Sequence, residues 1–278
     1  MTTVLAAGPM QACADSQAAA IAATAGAGPS RPGPFAVRVC HVDKYFGSLQ
    51  ALRDISFDVA NGEVVALLGA SGCGKSTLLN IVSGLDHADA GHLDIAGVPA
   101  THFRDWRRMA YLFQEDRLLP WRSVLDNVML GLEVLPVARA ERAERARATL
   151  ALVGLSGFEA SWPHQLSGGM RSRAALARSL VTEPRILLMD EPFSKLDPQT
   201  RGQMHEELLR IQQIQKTTIL FVTHDVEEAV VLADRIVLLD PRPGRVREIV
   251  NVDLPRPRPP TDPDVAERTR QLRLKVHQ

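Results

Sequence analysis

The sequence predicts an α/β fold with a parallel-sheet core, an N-terminal antiparallel β layer and a helical insert. Residues 64–68 and 186–189 are unbroken apolar runs, which are typical of strands buried on both faces of a parallel sheet. From residue 184 onward such runs alternate with helical patterns, as successive βα units do. A stretch of helical periodicity from about residue 120 predicts the insert, at about 120–183.

The composition limits the classes of protein that this chain can belong to. Its 278 residues suit one large domain, and 32 basic residues balance 32 acidic ones, so no net charge attracts nucleic acid. No apolar run reaches the roughly 18 residues of a membrane-spanning helix. The first 30 residues hold no Lys or Arg, which a signal peptide would need. We therefore expect a cytoplasmic protein that does not cross a membrane by itself.

The two ends of the chain differ from the central domain, which is predicted to span residues 36–252. Residues 1–35 are expected to be a disordered leader, because Ala, Gly, Pro and Ser dominate them. Residues 253–278 form a Pro-rich and basic tail, in which a helical pattern begins at residue 263. The composition of the tail indicates no function for it.

Two half-buried strands open the predicted domain. Residues 36–42 and 55–59 alternate in polarity with a period of two, and residues 51–54 are expected to form the tight link between them. Residues 64–68 then predict a buried strand, followed by glycines and by a helix at residues 76–83 that Gly84 closes.

The loop between that strand and that helix carries a phosphate-binding pattern. Residues 69–76 match G-x-x-x-x-G-K-[ST] in the strand-loop-helix context that the motif requires, which favours a nucleotide site over a simple glycine-rich turn. The glycines let backbone N–H groups surround the β-phosphate, Lys75 would bridge the β and γ oxygens, and Ser76 would hold Mg²⁺. The predicted ATP-binding residues here are Gly69, Ala70, Ser71, Gly72, Cys73, Gly74, Lys75, Ser76 and Thr77. The fold is thus predicted to be that of a P-loop NTPase.

A pair of carboxylates follows the second buried strand. Asp190 and Glu191 come directly after the apolar run 186–189. Phosphoryl transfer needs groups that hold the metal ion and that orient the attacking water. We assign the metal to Asp190 and the water, and with it catalysis, to Glu191. The alternative is that these acids cap the next element, but Pro192 follows at once and four apolar residues precede.

Residues 166–170, Leu-Ser-Gly-Gly-Met, stand at the start of a helical pattern. Each glycine costs about 1 kcal/mol relative to Ala inside a helix, yet the segment leaves N–H groups and a hydroxyl free to bind an anion. It resembles the signature motif of ABC ATPases, although a plain N-cap is the alternative. The resemblance implies that Ser167, Gly168 and Gly169 of one subunit cover the γ-phosphate held by another.

Further positions match the same family one by one. Phe46 stands where the family has an aromatic that stacks on adenine, with Tyr45 as the alternative and a core aromatic as the plainer interpretation. Gln114 resembles the Q-loop glutamine, which contacts Mg²⁺ and the attacking water. His224 resembles the switch histidine beside the γ-phosphate. A loop glutamine and a structural histidine are their plainer interpretations.

The D-loop and the signature each contain a departure from the family pattern. Asp197 resembles the D-loop aspartate at the dimer seam, and it also looks like an N-cap for the helix that Pro198 begins. Lys195 replaces the small residue usual before Leu-Asp, and Met170 replaces the usual glutamine. Neither change removes a phosphate ligand or the proposed base, so hydrolysis is expected to survive.

The resemblance covers residues 37–252 and can be narrowed. Residues 113–121 and the Pro-Arg segment 252–258 are similar to the nitrate, sulfonate and taurine group of importer ATPases, most of all to aliphatic sulfonate importers. Leu118, Leu119 and Trp121 would either offer an apolar anchor to a permease helix or pack inside the insert.

The resemblance implies an ATP-hydrolysing motor of an ABC importer, with ATP and Mg²⁺ as cofactors. Its implied partners are transmembrane permease subunits, a second copy of the chain and, through the complex, a periplasmic binding protein, but no nucleic acid. It would act at the cytoplasmic face of the inner membrane. Nitrate, taurine or a pyrimidine precursor are alternative cargoes. A soluble ABC ATPase is disfavoured by the single motif set, and a metabolic kinase by the signature, Gln114 and His224.

Overall fold

The structure is a computed structural model that describes residues 35–276. Except for Phe35, the expected leader at residues 1–35 lies outside the described residues. In chain order the strands are β1 (Phe35–Phe46), β2 (Leu49–Ala60), β3 (Val64–Gly69), β4 (Ala90–Ile95), β5 (Val98–Pro99), β6 (Met109–Leu112), β7 (Ile186–Asp190), β8 (Thr218–Thr223), β9 (Arg235–Asp240) and β10 (Arg245–Asn251). The α-helices are α1 (Lys75–Val82), α2 (Val124–Met129), α3 (Arg139–Leu152), α4 (Gly168–Leu180), α5 (Pro198–Gln215), α6 (Val226–Leu232) and α7 (Pro263–Val276).

The core is a six-stranded sheet in the order β10-β9-β3-β8-β7-β6. Its strands run parallel except β10, which pairs antiparallel with β9. Every residue of β3 and of β8 is buried, because helices and the second sheet cover both faces of the central strands. The predicted parallel-sheet core is confirmed.

The predicted N-terminal antiparallel layer is also confirmed, as a four-stranded sheet in the order β2-β1-β4-β5. The expected link at residues 51–54 is wrong, since these residues lie inside β2 and the chain turns at Gly47 and Ser48 instead. Asp54 has φ +51°, and the register between β1 and β2 shifts at several points. The break in alternation therefore marks an irregular stretch of paired strand rather than a turn.

The segment predicted as the helical insert contains α2, α3 and α4, which pack against one another. Leu132, Ala146 and Leu150 are fully buried there. Residues 118–121 were predicted either to anchor a permease helix or to pack inside the insert, and individual side chains differ in this respect. Leu118 packs into the core, whereas Trp121 is 70% exposed.

The C-terminal tail packs on the core. Val265 and Leu272 of α7 are buried in the same cluster as α6. Arg258 is 5% exposed, and its guanidinium donates to the carbonyl oxygens of Val230, Ala233, Val252 and Leu254. Two of these oxygens belong to the C-terminal end of α6, where helix carbonyls lack partners. The tail thus caps that helix. Among residues 35–276 no helix is long and apolar enough to cross a membrane.

Candidate nucleotide-binding and hydrolysis site

The parallel strands bring the predicted site residues to one edge of the core sheet. The carboxyl ends of parallel strands meet at the same edge, and open α/β sheets bind their ligands there. The phosphate loop follows β3, Gln114 follows β6, Glu191 follows β7 and His224 follows β8. Four stretches that are distant in sequence therefore converge.

The phosphate loop needs glycine at positions where a side chain would clash. Gly74 immediately precedes α1 with φ +89°, and a Cβ atom there would lie 2.5 Å from Leu52 Cδ2. At Gly69 a Cβ atom would lie 2.6 Å from the carbonyl oxygen of Leu239. The loop is thus packed closely against β2 and β9 on its outer side. Its other side faces the cleft, where Ser71, Gly72 and Gly74 are accessible to a ligand.

Lys75 lies across this loop and is only 5% exposed. Its ammonium donates to the carbonyl oxygens of Gly69 at 2.8 Å and of Ala70 at 2.9 Å. Cys73, also buried, lies beneath it, and burial raises the pKa of the Cys73 thiol. The ammonium of Lys75 is therefore bound to backbone carbonyl groups of the same loop.

The hydroxyl of Ser76 donates to the Asp190 carboxylate at 3.0 Å. Burial raises the pKa of Asp190, and the hydrogen bond from Ser76 opposes that shift. A hydroxyl and a carboxylate are hard oxygen ligands of the type that Mg²⁺ prefers, and Mg²⁺ usually takes few protein ligands beside phosphate and water. The two residues fit that ion. The described residues contain no cluster of three or more His, Cys, Asp or Glu that would hold a different metal.

Glu191 lies between Gln114 and His224. Its Oε2 accepts a hydrogen bond from Gln114 Nε2 at 3.2 Å, and its Oε1 lies 3.2 Å from His224 Nδ1. The backbone of Glu191 has φ +44°, which is uncommon outside glycine, and its N–H donates to the Val222 carbonyl at 3.0 Å. The structure thus brings the three predicted catalytic residues together, with Gln114 and His224 on the carboxylate of Glu191.

A cleft of about 490 Å³ joins the phosphate loop to Phe46. It is lined by Phe46, Leu49, Gln50, Ala51, Ser71, Gly72, Gly74, Lys75, Ser76, Thr77, Glu191 and Arg242. Phe46 lines this cleft, whereas Tyr45 does not. Of the two aromatic candidates, Phe46 is therefore the one within reach of a ligand in this cleft.

Arg242 also lines the cleft, although the sequence analysis did not single it out. It follows β9, which neighbours β3 in parallel, so the rule that ligands bind beyond the carboxyl ends of strands could have found it. Gln50 and Ala51 gave no such signal, because they were placed in or beside a link rather than in a strand next to the loop.

The signature residues lie apart from this cleft. Ser167 caps α4, and its hydroxyl accepts from the N–H of Met170 at 3.2 Å. Neither Ser167 nor Gly168 or Gly169 lines the cleft of its own chain. Gly169 instead approaches α5, where its Cβ would lie 2.8 Å from Thr200 Cγ2.

The two departures from the family pattern have simple settings. The side chain of Met170 packs against the core, so an apolar residue suits its position. The side chain of Lys195 is 62% exposed, and its ammonium lies 3.9 Å from the Glu115 carboxylate.

The predicted D-loop residue Asp197 caps α5. Its exposed carboxylate accepts a hydrogen bond from the Thr200 N–H at 3.0 Å. That hydrogen bond lowers the pKa of Asp197.

A parallel sheet with a phosphate loop after one strand and an acid pair after another defines the protein as a P-loop ATPase. A family model described as ABC transporter matches residues 52–194. The chain therefore belongs to the ABC transporter family, and it has the ATPase activity of that family.

Known proteins resemble the chain over most of its length. An aliphatic sulfonates import ATP-binding protein of Nocardia farcinica is 48% identical over 228 residues, covering 82% of this chain and 89% of that protein. An uncharacterised ABC transporter ATP-binding protein of Methanocaldococcus jannaschii is 46% identical over 224 residues, covering 81% and 83%.

Solved structures agree with these relatives. A dimeric ATP-binding cassette in a post-hydrolysis state with ADP and phosphate superposes with a TM-score of 0.70 at 30% identity, covering 78% of this chain and 99% of that one. A component of an ABC transporter complex from Clostridium perfringens has a TM-score of 0.74 at 26% identity, covering 88% and 96%. The predicted ABC ATPase fold is confirmed.

Proposed function

We propose that this chain is the ATP-hydrolysing motor subunit of an ABC importer for small anions, with aliphatic sulfonates as the cargo. The observation that carries the catalytic part is the contact of Gln114 and His224 with one carboxylate, Glu191, at the edge of the phosphate cleft. The cargo is supported by relatives at 39–48% identity that are named aliphatic sulfonates import ATP-binding proteins.

Residues in and beside the cleft divide the tasks of nucleotide binding and hydrolysis between them. Lys75 and the loop N–H groups bind the β- and γ-phosphates, and Phe46 stacks on adenine. Ser76 and Asp190 would hold Mg²⁺, which would supply positive charge to neutralise the phosphates. Glu191 accepts a proton from the attacking water. The oxygen of that water bonds to the γ-phosphorus while the bond between the γ-phosphorus and the bridging oxygen of the β-phosphate breaks, and ADP leaves. Gln114 and His224 hold Glu191 and the water in line.

The signature supports a motor made of two chains. Ser167, Gly168 and Gly169 expose an anion-binding helix start that lies outside the cleft of their own chain. A second copy facing the first would bring this helix start to the γ-phosphate and place Asp197 at the seam. The similar solved cassette is a dimer, which supports the same arrangement.

The remaining partners follow from the importer role. Transmembrane permease subunits would dock on the motor at the cytoplasmic face of the inner membrane, with exposed Trp121 as an anchor beside the Q-loop. A periplasmic binding protein would select the cargo through the complex. In this scheme residues 36–252 form the ATPase domain with its insert at about 120–183, and residues 253–278 form the tail.

Steady-state ATP hydrolysis tests the motor assignment. We expect Glu191→Gln to lower turnover by about 100-fold or more, because the general base is lost, and to accumulate an ATP-dependent dimer in size exclusion. Glu144→Gln, an exposed change on α3, is the matched control and should behave as wild type. A Glu191→Gln variant that hydrolyses ATP normally and stays monomeric would remove Glu191 from catalysis.

Growth tests the cargo separately. Deleting the gene should abolish growth on an alkanesulfonate as the sole sulfur source and leave growth on sulfate unchanged. A deletion strain that grows normally on alkanesulfonates but fails on nitrate or taurine would instead assign one of those cargoes to the importer.

A further inference from the structure

The turn after β9 reaches the nucleotide cleft from the side opposite the catalytic carboxylates. Strand β9 pairs in parallel with β3, so its carboxyl end lies beside the phosphate loop. The turn consists of Pro241, Arg242, Pro243 and Gly244. Arg242 lines the same 490 Å³ cleft as Phe46 and the loop residues.

Backbone contacts clamp this turn between β2 and the phosphate loop. The N–H of Gly244 donates to the Ala51 carbonyl at 2.9 Å, and the Gly244 carbonyl accepts from the Arg53 N–H at 2.8 Å. A Cβ atom at Gly244 would lie only 2.2 Å from the carbonyl oxygen of Cys73. The turn is thus in close contact with the loop that binds phosphate.

Arg242 itself is held in an unusual backbone conformation. Its φ is +59°, in the left-handed region that residues other than glycine seldom adopt. Strained residues of this kind persist where the surrounding structure fixes them, and they cluster at functional sites. The contacts of Gly244 supply that constraint two residues away.

The guanidinium of Arg242 forms no hydrogen bond or ion pair with any of residues 35–276, although it has five N–H donors. The nearby Arg247, by contrast, lies 3.7 Å from Asp240. The other cation of the cleft, Lys75, is engaged with loop carbonyls. Arg242 is therefore an exposed positive charge at the cleft, on a turn whose backbone is held in place, and its donors are available to a ligand.

We propose that Arg242 binds the nucleotide and that its guanidinium donates to the α-phosphate, an inference that rests on ATP occupying this cleft. Lys75, Ser76 and Glu191 mark the γ-phosphate end of the cleft, and Phe46 marks the base end. The turn contacts Ala51, five residues after Phe46, and Cys73, two residues before Lys75. Guanidinium groups bind phosphate through charge-assisted and often bidentate hydrogen bonds, so Arg242 complements the phosphate chain where the loop lysine does not reach.

Nucleotide affinity tests this assignment. The dissociation constants of ATP, ADP, AMP and adenosine are measured by competition against trinitrophenyl-ATP in EDTA, for the wild type and for Arg242→Ala, Arg242→Gln and Arg242→Lys. We expect Ala and Gln to weaken all three phosphorylated ligands about tenfold and to leave adenosine unchanged, while Lys recovers part of the loss. The KM for Mg·ATP should rise by a similar factor.

Arg245→Ala is the matched control, because Arg245 is an exposed arginine three residues away that does not line the cleft. It should bind every ligand as the wild type does. Folded Arg242 variants with unchanged ATP affinity would overturn the proposal, and so would an equal loss for adenosine, which would place Arg242 on the base. Failure of the wild type to bind ATP would instead refute the proposed function.

Discussion

The tail segment around Arg258 makes a large and testable contribution to stability. The buried guanidinium of Arg258 forms five hydrogen bonds to four carbonyl oxygens, at 2.6–3.1 Å. Val230 and Ala233 contribute two of these oxygens, from the C-terminal end of α6. At its other end α6 begins after its cap Asp225, which directly follows His224, so Arg258 helps to fix the helix next to this histidine.

Replacement by alanine should remove all five bonds and leave buried acceptors unpaired. Each unpaired acceptor costs about 1–3 kcal/mol, and water entering the vacated space would satisfy part of the set, so we expect Arg258→Ala to lose roughly 3–5 kcal/mol. With a urea m-value of about 3 kcal/mol/M, the unfolding midpoint would fall by roughly 1–1.7 M. Urea titration followed by circular dichroism measures it.

The control for this prediction is Arg270→Ala. Arg270 lies on the exposed face of α7, where it pairs only with Glu267 among the described residues, so its removal should change stability by less than about 0.5 kcal/mol. If Arg258→Ala also shifted the midpoint by so little, the tail would not stabilise α6 and the reasoning would be refuted.

Two further substitutions test close packing and a buried contact between a histidine and a carboxylate. Gly244→Ala places a Cβ atom 2.2 Å from the Cys73 carbonyl, so we expect a lower melting temperature and weaker ATP binding, whereas Gly202→Ala, with open space around it, should do neither. His205 and Glu228 face each other at 3.4 Å, with 9% and 5% exposure. His205→Leu should lower the free energy of unfolding by about 3 kcal/mol, because the buried carboxylate of Glu228 loses its neighbour. Adding Glu228→Met should restore most of that stability. If urea unfolding showed the double variant to be no more stable than the single one, this reasoning would be contradicted.

Local patterns predicted the core of the fold well. Buried runs such as residues 64–68 and 186–189 are contiguous, so they correspond directly to β3 and β7. The phosphate motif is contiguous too, and the strand-loop-helix setting predicted for it is present. The resemblance to ABC ATPases then supplied Gln114 and His224, which no local pattern would have joined to Glu191.

Features that depend on long-range contacts could not be predicted in the same way. The strand β2 runs through residues 51–54 because pairing with β1 tolerates register shifts, which the alternation pattern does not record. Arg242 reaches the cleft through the contacts of a turn with β2 and the phosphate loop. The capping of α6 by Arg258 depends on a tail whose proline content only indicated irregular structure.

In the proposed motor, two chains share each catalytic site. A substitution of the signature residue Ser167 tests this proposal most directly. Purified Glu191→Gln and the double variant Ser167→Arg with Glu191→Gln are compared by size exclusion with light scattering at saturating Mg·ATP, and their ATP binding is measured in parallel. We predict that the single variant dimerises and that the double variant binds ATP equally well but stays monomeric, because Ser167 lies outside the cleft of its own chain. A double variant that dimerises like the single one would contradict the shared site, and so would one that loses ATP binding as a monomer.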